Sequence, residues 1–332
     1  MGTQRARLDL QAHRGGLGLT VENTLEAFAT ALDLGVTTLE CDVHVSADGA
    51  AMVTHDRKIN AAHCRDTGPA WPGDGDFPYV GKYVTRLHED QLRTIDCGSL
   101  RHPLHPRQRT VPGVTMPTLP ELFDLVRDRG ADDVQLNIET KFEAVAPTET
   151  APPERFVRVV AAEVQMADVC DRVSVQSFDW ALLRRMRQVE PRVRLNALTS
   201  SYYLEHGVPG PSPWLAGLDI DDFDGNLVAA AAEIGVDAVS PAHGEPVRMG
   251  VDNPQYRPFV TETMVHDAHE CGMAVIPWTV DDPPTMHALI DLGVDGIITN
   301  YPDVLRDVMA DRGMPLPQAY PGALPAQAMA MA

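Results

Sequence analysis

The segment Thr37-Thr38-Leu39-Glu40-Cys41-Asp42-Val43 is an apolar run with carboxylates at two alternate positions. Residues two apart in a β-strand point to the same face, so Glu40 and Asp42 are expected to share one spot and one hard cation. The turn signal Ala47-Asp48-Gly49 follows, which predicts that Ala51–His55 pairs back onto this strand as a hairpin. The segment therefore predicts a buried strand that carries acidic ligands.

Outward from this strand, short apolar segments alternate with helical patterns along the chain. The other strand candidates are Leu8–His13, Val134–Thr140, Val173–Ser177, Val193–Leu198, Ala238–Ser240, Ala274–Val280 and Gly296–Thr299. The predicted helices are Thr24–Leu34, Leu119–Arg129, Pro153–Met166, Trp180–Val189, Leu227–Ile234, Val260–Cys271 and Pro284–Leu292. With the hairpin strand set aside, eight strands alternating with helices favour an α/β fold, the (β/α)8 or TIM barrel. A doubly wound sheet is the alternative, but no glycine-rich nucleotide loop follows the first strand.

One long segment interrupts this alternation. Residues 57–117 are rich in Gly, Pro, Asp and Arg, and unstructured loops of that length are uncommon unless they are functional. We expect residues 1–315 to form a single barrel domain in which residues 57–117, following the second-strand hairpin, are an insertion over the barrel mouth. The remainder, residues 316–332, is rich in Pro, Ala, Gln and Met and is expected to be a poorly ordered tail.

The charge balance limits the classes of partner. The net charge of −20 argues against general nucleic-acid binding, because phosphate backbones require basic faces. Phosphate recognition would therefore have to be local. No run of about 18 apolar residues is present, so the sequence predicts no membrane-spanning anchor. Residues 1–12 lack the apolar core of a signal peptide, although a signal could have been removed from a mature form.

The cysteines leave two alternatives open. Cys64 and Cys97 lie at the two ends of a loop-rich stretch and could form a disulfide, which would imply an oxidising compartment, or remain free. Cys41 is expected to be a buried small hydrophobe. No cysteine and histidine spacing suggests zinc.

Several residues whose side chains suit catalysis or ligand binding stand at the ends of predicted strands. His13 ends the first strand, His55 the hairpin strand and Glu139 the strand Val134–Thr140, while Trp278 lies near the end of another. A lone histidine at a strand end, or a lone Glu-x-Asp pair, is more often structural. Their agreement at the face that carries barrel active sites favours a functional site. An acid–base pair beside an oxygen-liganded metal suits hydrolysis of phosphate esters.

The same residues belong to motifs that resemble the glycerophosphodiester phosphodiesterase family. The matching motifs are His13-Arg14-Gly15-Gly16, Glu22-Asn23-Thr24, Glu40-Cys41-Asp42-Val43, His55-Asp56, Asn137-Ile138-Glu139-Thr140-Lys141, Gln176-Ser177-Phe178-Asp179, Pro277-Trp278-Thr279-Val280 and Gly293–Pro302. They occur in order over almost the whole chain. One departure is Val21, where the family usually has proline before Glu-Asn-Thr.

The resemblance implies a barrel, a cation and an acid–base pair. It implies that Glu40, Asp42 and Glu139 bind one divalent cation, Mg²⁺ or Ca²⁺. It also implies that His13 and His55 are the general acid and base, with the assignment between them open. The expected reaction is hydrolysis of a small glycerophosphodiester to sn-glycerol 3-phosphate and an alcohol such as choline or ethanolamine.

Three further residues are candidates for substrate binding. Arg14 could clamp phosphate through its guanidinium, or form a salt bridge to Glu22 or Asp42. Lys141 could contact phosphate or lower the pKa of Glu139. Trp278 could pack against glycerol or a quaternary ammonium, or seal the top of the barrel.

Three further residues of these motifs have expected roles. Asn23 and Thr24 are expected to cap the next helix. Gln176 is expected either to form a hydrogen bond within the site or to contribute to the packing of its strand. His44, His63 and His88 do not align with a strand end in this way and are expected to be incidental.

The main alternative is a lysophospholipase D that cuts the same bond in lysophospholipids or lysoplasmalogens, releasing choline or ethanolamine. It would need an apolar channel, for which the candidates are Tyr202, Tyr203, Trp214, Phe223, Met249 and Phe259, although these could also be ordinary packing. A barrel that binds phosphate without catalysis would need the loss of a ligand or a histidine. A phosphoinositide-type phospholipase C would need an inositol pocket that the sequence does not indicate. The insertion resembles that of secreted bacterial family members, which favours an exported protein over a cytoplasmic one.

Overall fold

The computed structural model describes residues 8–324, and its central feature is a barrel of parallel strands surrounded by helices. The strands are β1 Asp9–Ala12, β2 Thr38–Val45, β3 Ala51–Val53, β4 Gln135–Thr140, β5 Val173–Ser177, β6 Arg194–Thr199, β7 Ala238–Pro241, β8 Gly244–Glu245, β9 Arg257–Pro258, β10 Ala274–Val275 and β11 Gly296–Thr299. The helices are α1 Leu25–Leu34, α2 Glu89–Leu92, α3 Leu119–Asp128, α4 Pro153–Met166, α5 Trp180–Val189, α6 Ser201–Leu204, α7 Leu227–Ile234, α8 Glu262–Glu270, α9 Pro283–Leu292 and α10 Pro302–Asp311.

The barrel strands follow the order β10-β7-β6-β5-β4-β2-β1-β11, all parallel, and β3 pairs antiparallel with β2. The predicted barrel and hairpin are therefore confirmed. The predicted strand Ala274–Val280 is regular only in its first two residues, because Pro277 has no N–H to donate. Main-chain hydrogen bonds still join the last two barrel positions, from Ile298 N to Pro277 O and from Val280 N to Ile298 O, both 3.0 Å. The barrel is nearly closed.

Helix α10 was not predicted. The predicted helices end with Pro284–Leu292. Two local signals mark the helix: proline stands at its first position, and Leu305, Val308 and Met309 are buried at helical spacing.

The barrel has an apolar exterior and a polar interior. Leu39, Cys41 and Val43 of β2 face the helices and belong to the main hydrophobic core, whereas Glu40 and Asp42 point the other way. Inside the barrel, Asn137 Nδ2 donates to Gln11 Oε1 at 2.8 Å and to Gln176 Oε1 at 2.9 Å. The alternation of β2 therefore delivers both carboxylates to a polar, hydrogen-bonded interior.

A second buried cluster joins Met52 of β3 to side chains of residues 54–118, which include Ile59, Tyr79, Leu87 and Ile95. Cys64 and Cys97 are joined by a disulfide within this segment, which settles the alternative that the sequence left open. The remaining cysteines are free thiols, Cys41 and Cys170 buried and Cys271 exposed. The single-domain boundaries predicted from the sequence stay a prediction.

The first part of the predicted tail is held against the barrel. Tyr320 N donates to Leu32 O at 2.8 Å, and the Arg129 side chain donates to the carbonyls of Tyr320 and Ala323. Residues 325–332, the rest of that tail, lie outside the described residues. Within the described chain, no helix has the length and apolar character required to cross a bilayer.

Candidate active site

Three buried carboxylates meet at the carboxyl end of the barrel. Glu40 and Asp42 come from β2 and Glu139 from β4, where Asp42 and Glu139 are directly opposite each other. Each offers an oxygen, and these oxygens all lie within 4.8 Å of one another. Asp42 Oδ1 is buried with no hydrogen-bond partner. An acceptor of this kind, among hard oxygen donors, is what a divalent cation such as Mg²⁺ or Ca²⁺ needs, so the cluster could hold a metal ion.

Donors from the surrounding loops and strands fix these carboxylates. Glu40 accepts from the backbone N–H of Arg14 and from Gln176 Nε2, each at 2.8 Å. Asp42 Oδ2 accepts from Asn23 Nδ2 at 2.8 Å. Asn23 therefore does not cap α1 as predicted; Thr24 alone does so, by accepting from Ala27 N. Both oxygens of Glu40 are oriented before any cation binds.

The electrostatics of the cluster are those of crowded anions. Burial, together with the charge of Asp42, raises the pKa of Glu40 well above its usual range. Burial raises the pKa of Glu139 to about 7, although Lys141 opposes the shift. Burial would also raise the pKa of Asp42, but Arg14 and Lys141 outweigh it and hold that pKa well below its usual range. A divalent cation would relieve this repulsion.

A strained turn after β1 brings His13 and Arg14 to the cluster. Arg14 adopts a left-handed conformation with φ 52° and ψ 36°, which is uncommon for a residue other than glycine. Gly15 has φ +79°, and a Cβ there would lie 2.8 Å from Cβ of Ala27. The turn aims the Arg14 N–H at Glu40, so the strain has an observable result.

Arg14 and Lys141, the two positively charged side chains predicted to bind phosphate, both lie at the carboxylate cluster. Arg14 makes the salt bridges that were its structural alternative, Nη1 to Glu22 Oε1 at 2.8 Å and Nε to Asp42 Oδ2 at 3.0 Å. Lys141 Nζ lies 2.7 Å from Glu139 Oε1 and 3.6 Å from Asp42 Oδ1. Their contact with phosphate stays a prediction.

His13 and His55 line the same cleft but have different partners. His13 Nδ1 lies 2.6 Å from the amide oxygen of Asn300, and burial together with Arg14 lowers the pKa of His13 to about 3. His55 Nδ1 lies 2.8 Å from the carboxylate of Asp56. Burial, Arg14 and Lys141 lower the pKa of His55, while Asp42 and Asp56 oppose the shift.

Further side chains hold His55 and Asp56 in place. Asn60 Nδ2 donates to Asp56 Oδ2 at 2.9 Å, and His63 Nδ1 lies 3.7 Å from the same oxygen. The buried His44 donates from Nε2 to the carbonyl of His55 at 3.1 Å. Burial lowers the pKa of His44 to about 3, so the ring that makes this bond is neutral.

These residues meet in an open cleft of about 820 Å³ with one aromatic wall. Phe178 lies at the centre of this wall, with its ring centroid 4.3 Å from that of Tyr203 and 5.5 Å from that of Trp278. Trp214 continues the wall from Tyr203 at 5.0 Å. Trp278 also donates from Nε1 to Ser240 O at 2.8 Å, so a residue of β7 fixes the ring that lines the cleft.

Of the six residues suggested for an apolar channel, only Tyr203 and Trp214 line the cleft. Phe223 and Phe259 pack against the main core, which was their alternative. Met249 is not among the lining residues, and Tyr202 is 74% exposed.

Three residues that orient other side chains were not predicted from the sequence. His44, Asp56 and Asn300 received no role, although the last two stood inside quoted motifs. Their partners were not visible, because Asn300 meets His13 across 287 positions of the chain. Asp56 directly follows His55 in the sequence. This adjacency was a local signal that could have identified Asp56 as the group that orients His55.

Comparison with known proteins agrees with this geometry. The model of the glycerophosphoryl diester phosphodiesterase family matches residues 13–304. A Mycobacterium tuberculosis (strain ATCC 25618 / H37Rv) protein named "probable glycerophosphodiester phosphodiesterase 2" is 29% identical, covering 91% of this chain and 90% of that protein.

Two solved structures have the same fold. One, from Silicibacter pomeroyi DSS-3, carries the same family name and superposes with a TM-score of 0.75 at 30% identity, covering 93% of this chain and 95% of that one. The other is a phosphodiesterase from Oleispira antarctica, solved with the product sn-glycerol-3-phosphate, with a TM-score of 0.64 at 17% identity, covering 92% and 97%. Given this match over most of its length, the chain belongs to the glycerophosphoryl diester phosphodiesterase family.

Proposed function

We propose that the protein hydrolyses the phosphodiester bond of glycerophosphodiesters in a metal-dependent reaction, releasing sn-glycerol 3-phosphate and an alcohol. The supporting observation is a single cleft that joins a three-carboxylate cluster to two histidines with different partners. Family membership and the names of the relatives agree with this reaction.

In this proposal Glu40, Asp42 and Glu139 hold one Mg²⁺ or Ca²⁺. The bound cation would neutralise charge on the phosphodiester and polarise the phosphorus. Arg14 and Lys141 lie beside the carboxylates and supply the remaining positive charge for the phosphate oxygens, the guanidinium by its two-pronged geometry and the ammonium as a point charge.

The two histidines divide the proton transfers. His13 is beside an amide and remains neutral, so it takes the proton from the attacking hydroxyl, whether that belongs to water or to the glycerol of the substrate. His55 has the carboxylate of Asp56 beside it, which opposes the lowering of its pKa by burial, Arg14 and Lys141, so of the two histidines it is the better placed to give a proton to the leaving alkoxide.

The test is product release from glycerophosphocholine by the full-length protein with Mg²⁺, with Ca²⁺ or with EDTA. We expect turnover with a cation and none with EDTA. Glu139→Gln should lose cation binding and activity together, and His13→Gln and His55→Gln should each lose about 10²–10⁴-fold in kcat. The exposed Glu262→Gln on α8 is the control. Full activity in EDTA would contradict the metal, and a wild-type rate in either histidine variant would remove that residue from the mechanism.

The aromatic wall supports a second candidate, a lysophospholipase D acting on substrates with an acyl or alkenyl chain. The cleft volume of about 820 Å³ is toward the upper end of the roughly 300–1,000 Å³ usual for small-molecule pockets. Tyr203→Ala should then slow release of choline from lysophosphatidylcholine more than from glycerophosphocholine. Tyr202→Ala is the matched control, because that neighbouring ring is exposed and outside the cleft. Equal effects on both substrates would discard this candidate.

A further inference from the structure

Asp281 holds the side chain that contacts His13, without touching His13 itself. It lies in the segment between β10 and α9, and its carboxylate receives three donors from the end of β11. Oδ1 accepts from Asn300 N at 2.9 Å and from Thr299 Oγ1 at 3.3 Å, and Oδ2 accepts from Asn300 Nδ2 at 2.7 Å.

The barrel register explains why this chain of contacts ends at His13. β1 and β11 are adjacent, with Ala12 opposite Thr299, so the next residues, His13 and Asn300, leave the barrel side by side. Asn300 is 7% exposed, which protects its side-chain bonds from competition by water.

Simple donor and acceptor rules then fix one proton. A carboxylate only accepts hydrogen bonds, so the amide of Asn300 must turn its nitrogen to Asp281 and its oxygen to His13. An amide oxygen also only accepts, so His13 Nδ1 must carry the hydrogen of the 2.6 Å bond. In a neutral imidazole the other nitrogen, Nε2, is then unprotonated. The described residues place no hydrogen-bond partner on Nε2, and His13 lines the cleft.

We infer that Asp281 is a positioning residue that acts through Asn300 to lock His13 in the tautomer with a free Nε2. The inference rests on the proposed function only for the use of that nitrogen, which is to accept the proton of the attacking hydroxyl. The tautomer itself is a property of the resting protein and can be measured without any substrate.

Replacing the carboxylate by an amide should reverse the arrangement. In Asp281→Asn the new side chain can present its own NH₂ to Asn300, so the Asn300 amide can rotate and turn its nitrogen to His13 Nδ1. The imidazole proton would then move to Nε2, and His13 could no longer act as the base. Wrong-tautomer losses in a histidine base are large, and we expect kcat to fall by about 10²-fold or more.

The experiment is long-range ¹H–¹⁵N NMR of the full-length protein with ¹⁵N-labelled histidine. His13 resonances are assigned by their loss in His13→Gln, and kcat on glycerophosphocholine is measured in parallel. In the wild type we expect the proton on Nδ1, and in Asp281→Asn the proton on Nε2 with the loss in kcat. Asp282→Asn is the matched control, since Asp282 caps α9 through Thr285, has no contact with His13 and should change neither readout.

Each outcome decides between the two proposals. A wild-type His13 with its proton on Nε2 overturns the inference, even if Asp281→Asn does not fold. An unchanged tautomer in folded Asp281→Asn also overturns it, whereas a changed tautomer with wild-type kcat keeps the positioning role of Asp281 and removes His13 Nε2 as the base. The expected tautomers in a protein that does not hydrolyse glycerophosphodiesters would reject the proposed function and leave the positioning role of Asp281 standing.

Discussion

At the scale of single residues, the site depends on side chains that orient other side chains. Gln176 illustrates this, because it donates to Glu40 while accepting from Asn137, which continues to Gln11 across the barrel. A buried network of this kind is rigid only when each member is satisfied. The position of Glu40, a proposed cation ligand, is therefore fixed by a neighbouring amide.

Gln176→Leu should weaken cation binding by about 10–100-fold, the usual effect of removing a partner that orients a metal ligand. Calorimetric titration of the metal-free protein with Mg²⁺ or Mn²⁺ measures the change directly. Ser177→Ala is the matched control, because Ser177 is the next residue of β5 and its hydroxyl donates to Thr140 O, not to this network. Wild-type affinity in Gln176→Leu would show that Glu40 needs no such support.

Residue type and strand position were enough to find the carboxylates and the two histidines. Both signals are local: alternate spacing puts Glu40 and Asp42 on one face, and strand ends meet at one edge. The orienting amides were not predictable in the same way. Asn23 was misassigned as a helix cap because the local pattern Asn-Thr before a helix has that meaning, and only the fold shows that it reaches Asp42.

At the scale of elements, the inserted segment between β3 and α3 carries its own packing. Its buried cluster surrounds Tyr79 and Leu87, and the disulfide joins Cys64 to Cys97 across 33 positions. The same segment supplies Arg57, Lys58 and Tyr83 to one side of the cleft. Its stability therefore affects the shape of the site.

The disulfide predicts both the number of reactive thiols and a contribution to the free energy of unfolding. Thiol titration of the denatured, unreduced protein should find three of the five cysteines reactive. Replacing Cys64 and Cys97 together by serine should lower the free energy of unfolding by about 2–4 kcal/mol, measured by urea denaturation. Cys271→Ser, an exposed free thiol, should leave it unchanged. Five reactive thiols would contradict the cross-link.

The connection after β7 contains a buried histidine that makes stability depend on pH. His243 is 2% exposed, and burial lowers its pKa from the ordinary 6.5, despite the carbonyl of Val247. Below pH 6.5 the His243 side chain binds a proton in the unfolded chain but stays unprotonated in the folded protein. The free energy of unfolding therefore rises with pH in that window and decreases as the pH falls.

Urea denaturation at a series of pH values tests this. His243→Asn should have a flatter dependence below pH 6.5 than the wild type, whatever its absolute stability. His266→Asn, an exposed position on α8, should follow the wild-type curve. Parallel curves for His243→Asn and the wild type would remove this residue from the acid response.

Element type was predictable where the period was long and undisturbed, as in α3 and α4. Strand bounds were less predictable where a proline removed a backbone hydrogen-bond donor from the strand pairing. Pro277 shortens β10, yet its carbonyl still accepts from Ile298 N, and the barrel is nearly closed. Helix α10 was overlooked because its start, Tyr301-Pro302, belongs to the motif that ends the last strand.

At the scale of the whole molecule, the barrel brings together carboxylates that repel one another. Glu40 and Asp42 come from one strand and Glu139 from its neighbour, and burial makes their charges costly. A cation that binds only the folded state should therefore stabilise the whole fold.

Thermal unfolding with added Mg²⁺ or Ca²⁺ measures this linkage. At a concentration about 100 times Kd the stabilisation should be about 2.7 kcal/mol, and EDTA should abolish it. Glu139→Gln should show no cation-dependent shift in Tm. A shift of equal size in that variant would mean that the cation acts elsewhere on this acidic protein.

The hydrogen bond between His13 and Asn300 joins the first barrel strand to the last. During synthesis the ribosome releases His13 long before it releases Asn300, so a nascent chain holds the histidine with no partner for most of its translation. In the proposed mechanism, turnover therefore requires that the final strand has docked beside the first. We therefore expect enzyme activity to report the docking of the last strand, with no need for a spectroscopic probe.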